Sequence, residues 1–314
     1  MAAWSNVLSF ADPFPYQAAI RAADLELFPT AKGEFRAELT QITLNRLWMQ
    51  RAYESLPRVW VGTVRPDRMV VGFLTNANEP GMTHCGMKAS PGDIIVNSTD
   101  VMHRRTEAAC HWGSMSLALD DFDAVFKAIT GHEFAKGSRT YLVKPDRALM
   151  SRLLNAHAEA GLMARTNPEA LRSSGVTRAL EEKLVHLMVR CLTDQTSAEN
   201  SVGSQRRDRI VARLEEYLKA HGGRALYLTE VCSALGVAER TLRDACKEHL
   251  GMGPIRYLTL RRMHLARRAL LRSKPSETSV TRVATDYGFW ELGRFAVSYR
   301  ALFGETPSAS LRQH

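Results

Sequence analysis

The chain has few cysteines, and they are scattered. Cys85, Cys110, Cys191, Cys232 and Cys246 make an odd count with no Cys-x-x-Cys pair, so neither a zinc ribbon nor a thioredoxin-type redox motif is indicated. The pattern suits a reduced, cytosolic chain with free thiols. No run of ~18 consecutive apolar residues occurs, which excludes a transmembrane helix of that kind, and no membrane partner is expected. The start, Met1-Ala2-Ala3-Trp4, lacks a basic segment followed by an apolar stretch. A secretory signal is therefore not expected, and a cytoplasmic location is. Low-complexity sequence and His-x-His motifs are also missing.

What is there is an ordinary globular composition, 45% hydrophobic and 24% charged over 314 residues, enough for about two domains. The net charge of +9 is unevenly placed. From Arg207 onward, 19 Lys/Arg face 11 Asp/Glu; the first 206 residues hold 23 and 22. A basic excess confined to one domain is the footprint of a polyanion partner, although a solvated basic face would read the same way. The polar stretch Thr193 to Gln205, TDQTSAENSVGSQ, lacks large apolar side chains to bury. The domain boundaries follow: 1–192, a linker 193–205, and 206–314.

The first ~145 residues read as β-rich. Val59 to Val64 and Met69 to Leu74 are strands around the turn Arg65-Pro66-Asp67-Arg68. Pro91-Gly92-Asp93 precedes the β-branched run Ile94-Ile95-Val96, and Gly113 to Leu119 reads as another strand. Leu149, Leu153, Ala156 and Ala160 repeat at helical spacing, as do Leu180, Leu184, Leu187 and Cys191. The second set suits either a seam for a partner helix or packing on its own β-domain.

The basic domain contains an internal repeat. A helix-turn-helix needs a small residue where its helices cross, a turn residue tolerant of positive φ, and an apolar anchor on the second helix. Over about 228–250, Leu228, Val231, Cys232 and Leu235 form the inward face, Gly236 the turn, Leu242 the anchor and Gly251 the stop. Over about 279–303, Val280, Val283, Ala284 and Tyr287 are followed by Gly288 and Phe295, with an end near Phe303-Gly304. Between them Pro254 to Arg272 reads as one linking helix, with Ile255, Leu258, Leu265, Ala266 and Ala269 on its apolar face. Arg262 falls in that face and requires a carboxylate partner, Glu230 or Asp286.

These residues resemble the AraC/XylS family of transcription regulators. The resemblance covers about Arg207 to Arg312. It rests on LTEVCSALGVAERTLRDACKEHLGMGPIRYL, on RRMHLARRALL and on VATDYGFWELGRFAVSYRALFGETPSASLR, above all the closing Phe303-Gly304-Glu305-Thr306-Pro307. It implies that each second helix reads a major groove. In the first unit the matching positions are Arg240, Thr241, Arg243 and Asp244, with Lys247 nearer phosphate. Arg240 and Arg243, three apart, share a face that can reach guanine O6 and N7. Asp244 can accept from cytosine N4 or form a helix salt bridge with Arg240 or Lys247. In the second unit the positions are Leu292, Gly293, Arg294 and Val297, with Arg300 toward phosphate. Only Arg294 there has an obvious base-reading group, so the first unit is expected to carry most base specificity.

The front half is similar to the family's sensor domain, Pro91 to Val96 resembling a cupin-like turn and strand. The expected fold is therefore multidomain α+β: an N-terminal cupin-like β-barrel with flanking helices, and a C-terminal all-α domain with two helix-turn-helix units. The resemblance implies an effector-responsive activator, a homodimer that binds double-stranded operator DNA and RNA polymerase, and no enzymatic activity. No catalytic residue, cofactor or metal is expected. Trp60, Phe73, His84, His103 and Trp112 are the candidates for an effector pocket. Two alternatives remain: an architectural DNA-binding protein without a sensor role, and a metal-dependent cupin enzyme fused to a DNA-binding module. The latter would need ligands from His84, His103 and His111. Cys85 and Cys110 are either a redox pair or inert packing residues.

Overall fold

The computed structural model describes residues 3–134, 137, 139–193, 195–198, 202–222 and 226–313. The chain opens with β1 (Trp4–Phe10), α1 (Pro13–Ala19), β2 (Ala23–Pro29), β3 (Ala37–Thr43), β4 (Trp48–Glu54), β5 (Arg58–Val64) and β6 (Arg68–Leu74). Next come β7 (Met82–His84), β8 (Met87–Ala89), β9 (Ile94–Val96), β10 (Met102–Thr106) and β11 (Cys110–Ala118). The domain closes with α2 (Leu119–Thr130), β12 (Tyr141–Pro145), α3 (Arg147–Thr166), α4 (Ser174–Thr193) and β13 (Gln195–Ala198). The remainder is helical: α5 (Val202–Ala220), α6 (Leu228–Leu235), α7 (Glu239–Leu250), α8 (Pro254–Arg272), α9 (Val280–Asp286), α10 (Leu292–Phe303) and α11 (Pro307–Leu311).

The strands form two sheets, in the orders β1-β3-β4-β11-β6-β9-β12-β13 and β2-β5-β10-β7-β8. The expected barrel is thus two hydrogen-bonded sheets that do not join into a closed cylinder. Leu39, Ala52, Val70, Leu74 and Trp112 of the larger sheet share a core with Leu25, Leu27, Trp60, Val64 and Met102 of the smaller. Because strand side chains alternate, each sheet has a second face to cover. The larger sheet turns Ile42, Met49, Met69, Val71, Phe73, Ile94, Met115 and Val143 toward α2, α3 and α4. Leu180, Leu184, Leu187 and Cys191 of α4 are buried in that cluster, so the spacing that resembled a partner seam is used inside the domain.

The smaller sheet turns Phe28, Val59 and Val61 outward, and the cover is the C-terminal domain itself: Ile210, Leu214, Leu242, Leu250, Tyr257 and Leu258 share their cluster. The layers therefore run helices, sheet, sheet, helices. Burial on both faces explains why β5 reads Val59-Trp60-Val61 without polar alternation. The segment 193–205, read as a linker, contains β13, paired antiparallel with β12, and the first turn of α5.

α8 spans the residues expected of the linking helix, but its buried side is rotated. Tyr257, Leu258, Leu260, Arg261, Met263, His264, Ala266 and Leu270 are buried, whereas Ile255 is 62% exposed. The buried arginine is Arg261, not Arg262. Arg261 Nη1 donates to Glu215 Oε2 at 2.5 Å, and Nη2 pairs with Glu26 of β2. Arg262 is half-buried without Glu230 or Asp286: it donates to the Gly288 carbonyl at 3.3 Å and lies 5.0 Å over the Phe289 ring. The side of α8 that carries Arg261 and His264, away from the expected apolar face, is covered by the sheet domain.

Candidate nucleic-acid interface

Both turns form as their glycines require. Gly236 caps α6 at φ 62°, and Gly288 follows α9 at φ 74°, a region where a Cβ would meet the following carbonyl. Leu242 locks α7 from a fully buried position, and Phe295 does the same for α10 at 2% exposure. Gly251 and Gly304 end the second helices in the left-handed region. Each unit has its own core. The first shares the cluster around Val231, Leu235 and Ala245; the second is built on Met263, Ala266, Val283, Ala284, Phe295 and Tyr299. α8 contributes to both, so the two helix-turn-helix units stand on one helix of about 28 Å.

With the anchors inward, the opposite faces point to solvent. On α7, Arg240, Arg243, Asp244 and Lys247 are exposed and Thr241 is partly so. On α10, Leu292, Gly293, Arg294, Val297 and Arg300 are exposed, Val297 at 71%. Two guanidiniums are held by carboxylates one turn before them: Arg243 by Glu239, and Arg294 by Glu291 at 3.4 Å. Asp244 makes no ion pair with Arg240 or Lys247 among the described residues. Trp290, 72% exposed, stands just before α10.

Residues that the sequence did not single out join this reading domain to the sheet. His264 contacts the Pro29 carbonyl through Nε2 at 2.9 Å and packs edge-on against Phe28 and Phe303. Burial lowers its pKa to about 4, which keeps the ring neutral. Arg267 bridges Asp12 at 2.7 Å and Glu305 at 3.2 Å. Asp12 also caps α1 by accepting from the Phe14 amide, so one carboxylate serves both domains. Glu215 is raised by burial despite Arg261 beside it. The only local signal for this contact was the uninterrupted apolar run in β5; the partners lie up to 255 positions away.

The five effector candidates do not meet in one pocket. Trp60 and Trp112 surround buried Glu54, donating to its oxygens at 3.2 and 2.5 Å, with Tyr16 OH at 2.5 Å and Arg58 as the counter-ion. Phe73 packs on His157 in another core. His84 accepts from Arg104, His103 faces His249 of α7, and His111 pairs with Glu79. The histidine trio weighed as a cupin metal site therefore has three separate sets of partners. Cys85 and Cys110 are buried thiols not joined in a disulfide, one beside Asp208 and the other beside Arg58. None of the five candidates lines the major cleft. That cleft of about 1510 Å³ lies between α2, α4, β12 and α5, with Phe126, Ile129, Phe134 and Tyr141 on its apolar side and Arg139, Arg209 and Arg213 among its charged groups.

Two exposed helices presented from one rigid support, in a basic domain, have the geometry of a paired DNA-reading surface. Residues 231–313 match a family model described as a helix-turn-helix domain. A thc operon regulatory protein of Rhodococcus erythropolis is 40% identical over 103 residues, covering 33% of this chain and 31% of that one. The XylDLEGF operon transcriptional activator of Pseudomonas putida is 36% identical over 113 residues, 36% of this chain and 34% of that one. This chain thus spans about a third of the length of these relatives. Among solved structures, the AraC-like transcriptional activator CuxR aligns over 84% of this chain and 95% of its own at 15% identity, with a TM-score of 0.42. Residues 231–313 thus form a helix-turn-helix domain similar to that of these operon regulators, and among the described residues no helix is long and apolar enough to cross a membrane.

Proposed function

We propose that the chain is an effector-responsive activator that binds tandem sites on operator DNA and acts on RNA polymerase from the cytoplasm. One observation supports the reading: the outward faces of α7 and α10 are free while the backs of α7 and α8 rest on the smaller sheet. Reader and sensor then share a buried contact through which a ligand can act. The cleft against α5 is where an effector fits this reading, since it touches both domains and is large enough for a small organic molecule. Arg240, Thr241, Arg243 and Asp244 read bases. Leu292, Gly293, Arg294 and Val297 are the second reader, and Lys247 and Arg300 hold phosphate. A homodimer under this reading needs a surface other than the α4 seam, and sedimentation with and without DNA tests it.

The deciding measurement is DNA affinity across a set of single base-pair variants. Arg240→Ala or Arg243→Ala should cost about 1–3 kcal/mol on the proper site and relax preference at one position. Arg300→Ala should weaken all sequences alike. The reverse pattern refutes the assignment. Thermal shifts across a metabolite panel separate a sensor from an architectural protein, which should respond to none.

A further inference from the structure

At the seam between the domains, ligand-type side chains converge from four elements. Cys85 sits on the turn between β7 and β8, His103 on β10, Asp208 on α5 and His249 on α7. One donor atom each from Cys85, His103 and Asp208 lie within 4.8 Å of one another. His103 Nε2 is 3.6 Å from Asp208 Oδ1, and His249 Nδ1 is 2.6 Å from His103 Nε2 and 4.0 Å from the same carboxylate oxygen. We propose that these four side chains form a binding site for a zinc-type divalent cation that ties the sheet domain to the first helix-turn-helix.

The donor set fits such an ion. Zinc takes sulfur at ~2.3 Å and imidazole nitrogen or carboxylate oxygen at ~2.0–2.2 Å, in a tetrahedron, which places ligand atoms roughly 3.4–3.6 Å apart. The His103–Asp208 separation already meets that spacing. The His103–His249 and His249–Asp208 separations need to change by under an ångström, as expected once two facing imidazole nitrogens receive a shared cation. A thiolate and a carboxylate neutralise the dication and two neutral imidazoles complete it, so the loaded site leaves no net charge buried.

The surroundings fit as well. Cys85, His103 and His249 are buried, whereas Asp208 is 30% exposed at its side chain. Cys85 and Asp208 both line the large cleft, which gives an ion a route from solvent. Asp208 Oδ1 is buried, and Cys85 already hydrogen-bonds to the Asp208 carboxylate, so both donors are aimed into the cluster. The far nitrogen of His249 lies 3.5 Å from Glu248 Oε1, and Glu248 is in turn held by Arg207 at 2.5 Å. A carboxylate behind a ligating imidazole fixes its tautomer and orientation. Cys85 holds φ 47° beside Gly86 at φ 77°, the backbone of a two-residue hairpin turn that Asn, Asp or Gly usually fills. A cysteine in that conformation crowds its Cβ against the following carbonyl, and it brings sulfur to the tip of the turn facing α5. Binding displaces the thiol proton to solvent and forms the metal–sulfur bond, with no change of oxidation state.

The test uses the full chain, stripped of metal, with cobalt(II) as a coloured stand-in for zinc. Titration should saturate at one cobalt per chain, with an intense thiolate-to-cobalt charge-transfer band and tetrahedral visible bands, all bleached by zinc. Cys85→Ser should abolish the charge-transfer band, and Cys232→Ser should keep it. Asp208→Asn, an isosteric change at a side chain that is 30% exposed, should weaken zinc binding at least tenfold without loss of fold. Zinc at equal concentration should raise the melting temperature of the parent chain more than that of Asp208→Asn. Binding without a thiolate band, a band that survives Cys85→Ser, or equal zinc affinity in Asp208→Asn would each overturn the site.

Discussion

Replacement of Arg261 by alanine should be among the most damaging single changes in the C-terminal domain. Its side chain is 8% exposed, bonded to Glu215 at 2% and to Glu26 at 33%. Removing one partner of a buried pair leaves the other charge uncompensated, at about 3–5 kcal/mol. That corresponds to a fall in melting temperature of roughly 5–15 °C. Arg262, one residue on, has only a carbonyl bond and a stacked ring to lose, about 1–2 kcal/mol. The loss should also depend on pH. Burial already raises Glu215 above its ordinary value, with Arg261 opposing. In Arg261→Ala that opposition is gone, so the folded state holds the Glu215 proton more tightly than the unfolded state does. A raised carboxylate contributes stability that falls as pH rises through its window. The gap to the parent chain should therefore be widest near pH 7.5 and narrow toward pH 5, and Glu215→Gln should rescue part of it. The assay is thermal unfolding of the parent, both single variants and the double variant across that range. Equal losses for Arg261→Ala and Arg262→Ala, or a gap that does not change with pH, would refute the placement of charge between the domains.

Other outcomes follow from the same contacts. His264, lowered to about 4 by burial, is neutral when folded. Unfolded it binds a proton below about 6.5, so the stability it gives is full above that value and is lost as pH falls toward 4. His264→Gln should flatten the acid limb of the stability curve measured by denaturant titration. Phe28→Ala empties a site at 2% exposure against Tyr257 and His264. It should cost about 3–5 kcal/mol and open protease cleavage near α5. Gly236→Ala meets no atom within 4 Å and should cost only the backbone penalty of about 1–2 kcal/mol. Gly251→Ala adds a collision with the Arg105 side chain of β10, so it should lose more in the same unfolding assay.

The reading helices were legible because their signals are local. Gly236 and Gly288 sit between short amphipathic segments, and Leu242 and Phe295 mark their inward sides without reference to anything distant. Strands β5, β6, β9 and β11 were equally plain from β-branched runs and turns. The packing of one domain on the other was hidden. Tyr257, Arg261 and His264 lie on one side of α8, but nothing in the local sequence says that the cover is Glu26, Phe28 and Pro29 at the other end of the chain. For that reason Ile255 and Arg262 were assigned to a face that the structure turns elsewhere. The aromatic effector candidates failed to converge for a related reason. Trp60 and Trp112 satisfy their indole N–H groups on Glu54, and a buried carboxylate among apolar strands reads in sequence as an ordinary surface residue.

Under the proposed function, α8 has consequences for the spacing of the DNA boxes that the two units would read. From Ile255 to Arg272 it contains neither glycine nor proline, and both recognition units are bolted to it through separate cores. A duplex turns once in about 10–10.5 base pairs, so five inserted pairs between the two boxes swing the second to the far side of the helix. A full extra turn restores the side but moves that box ~34 Å further along, past the end of the rod. Under the proposed function the phasing of tolerated sites is thus inherited from α8, which carries none of the proposed base contacts.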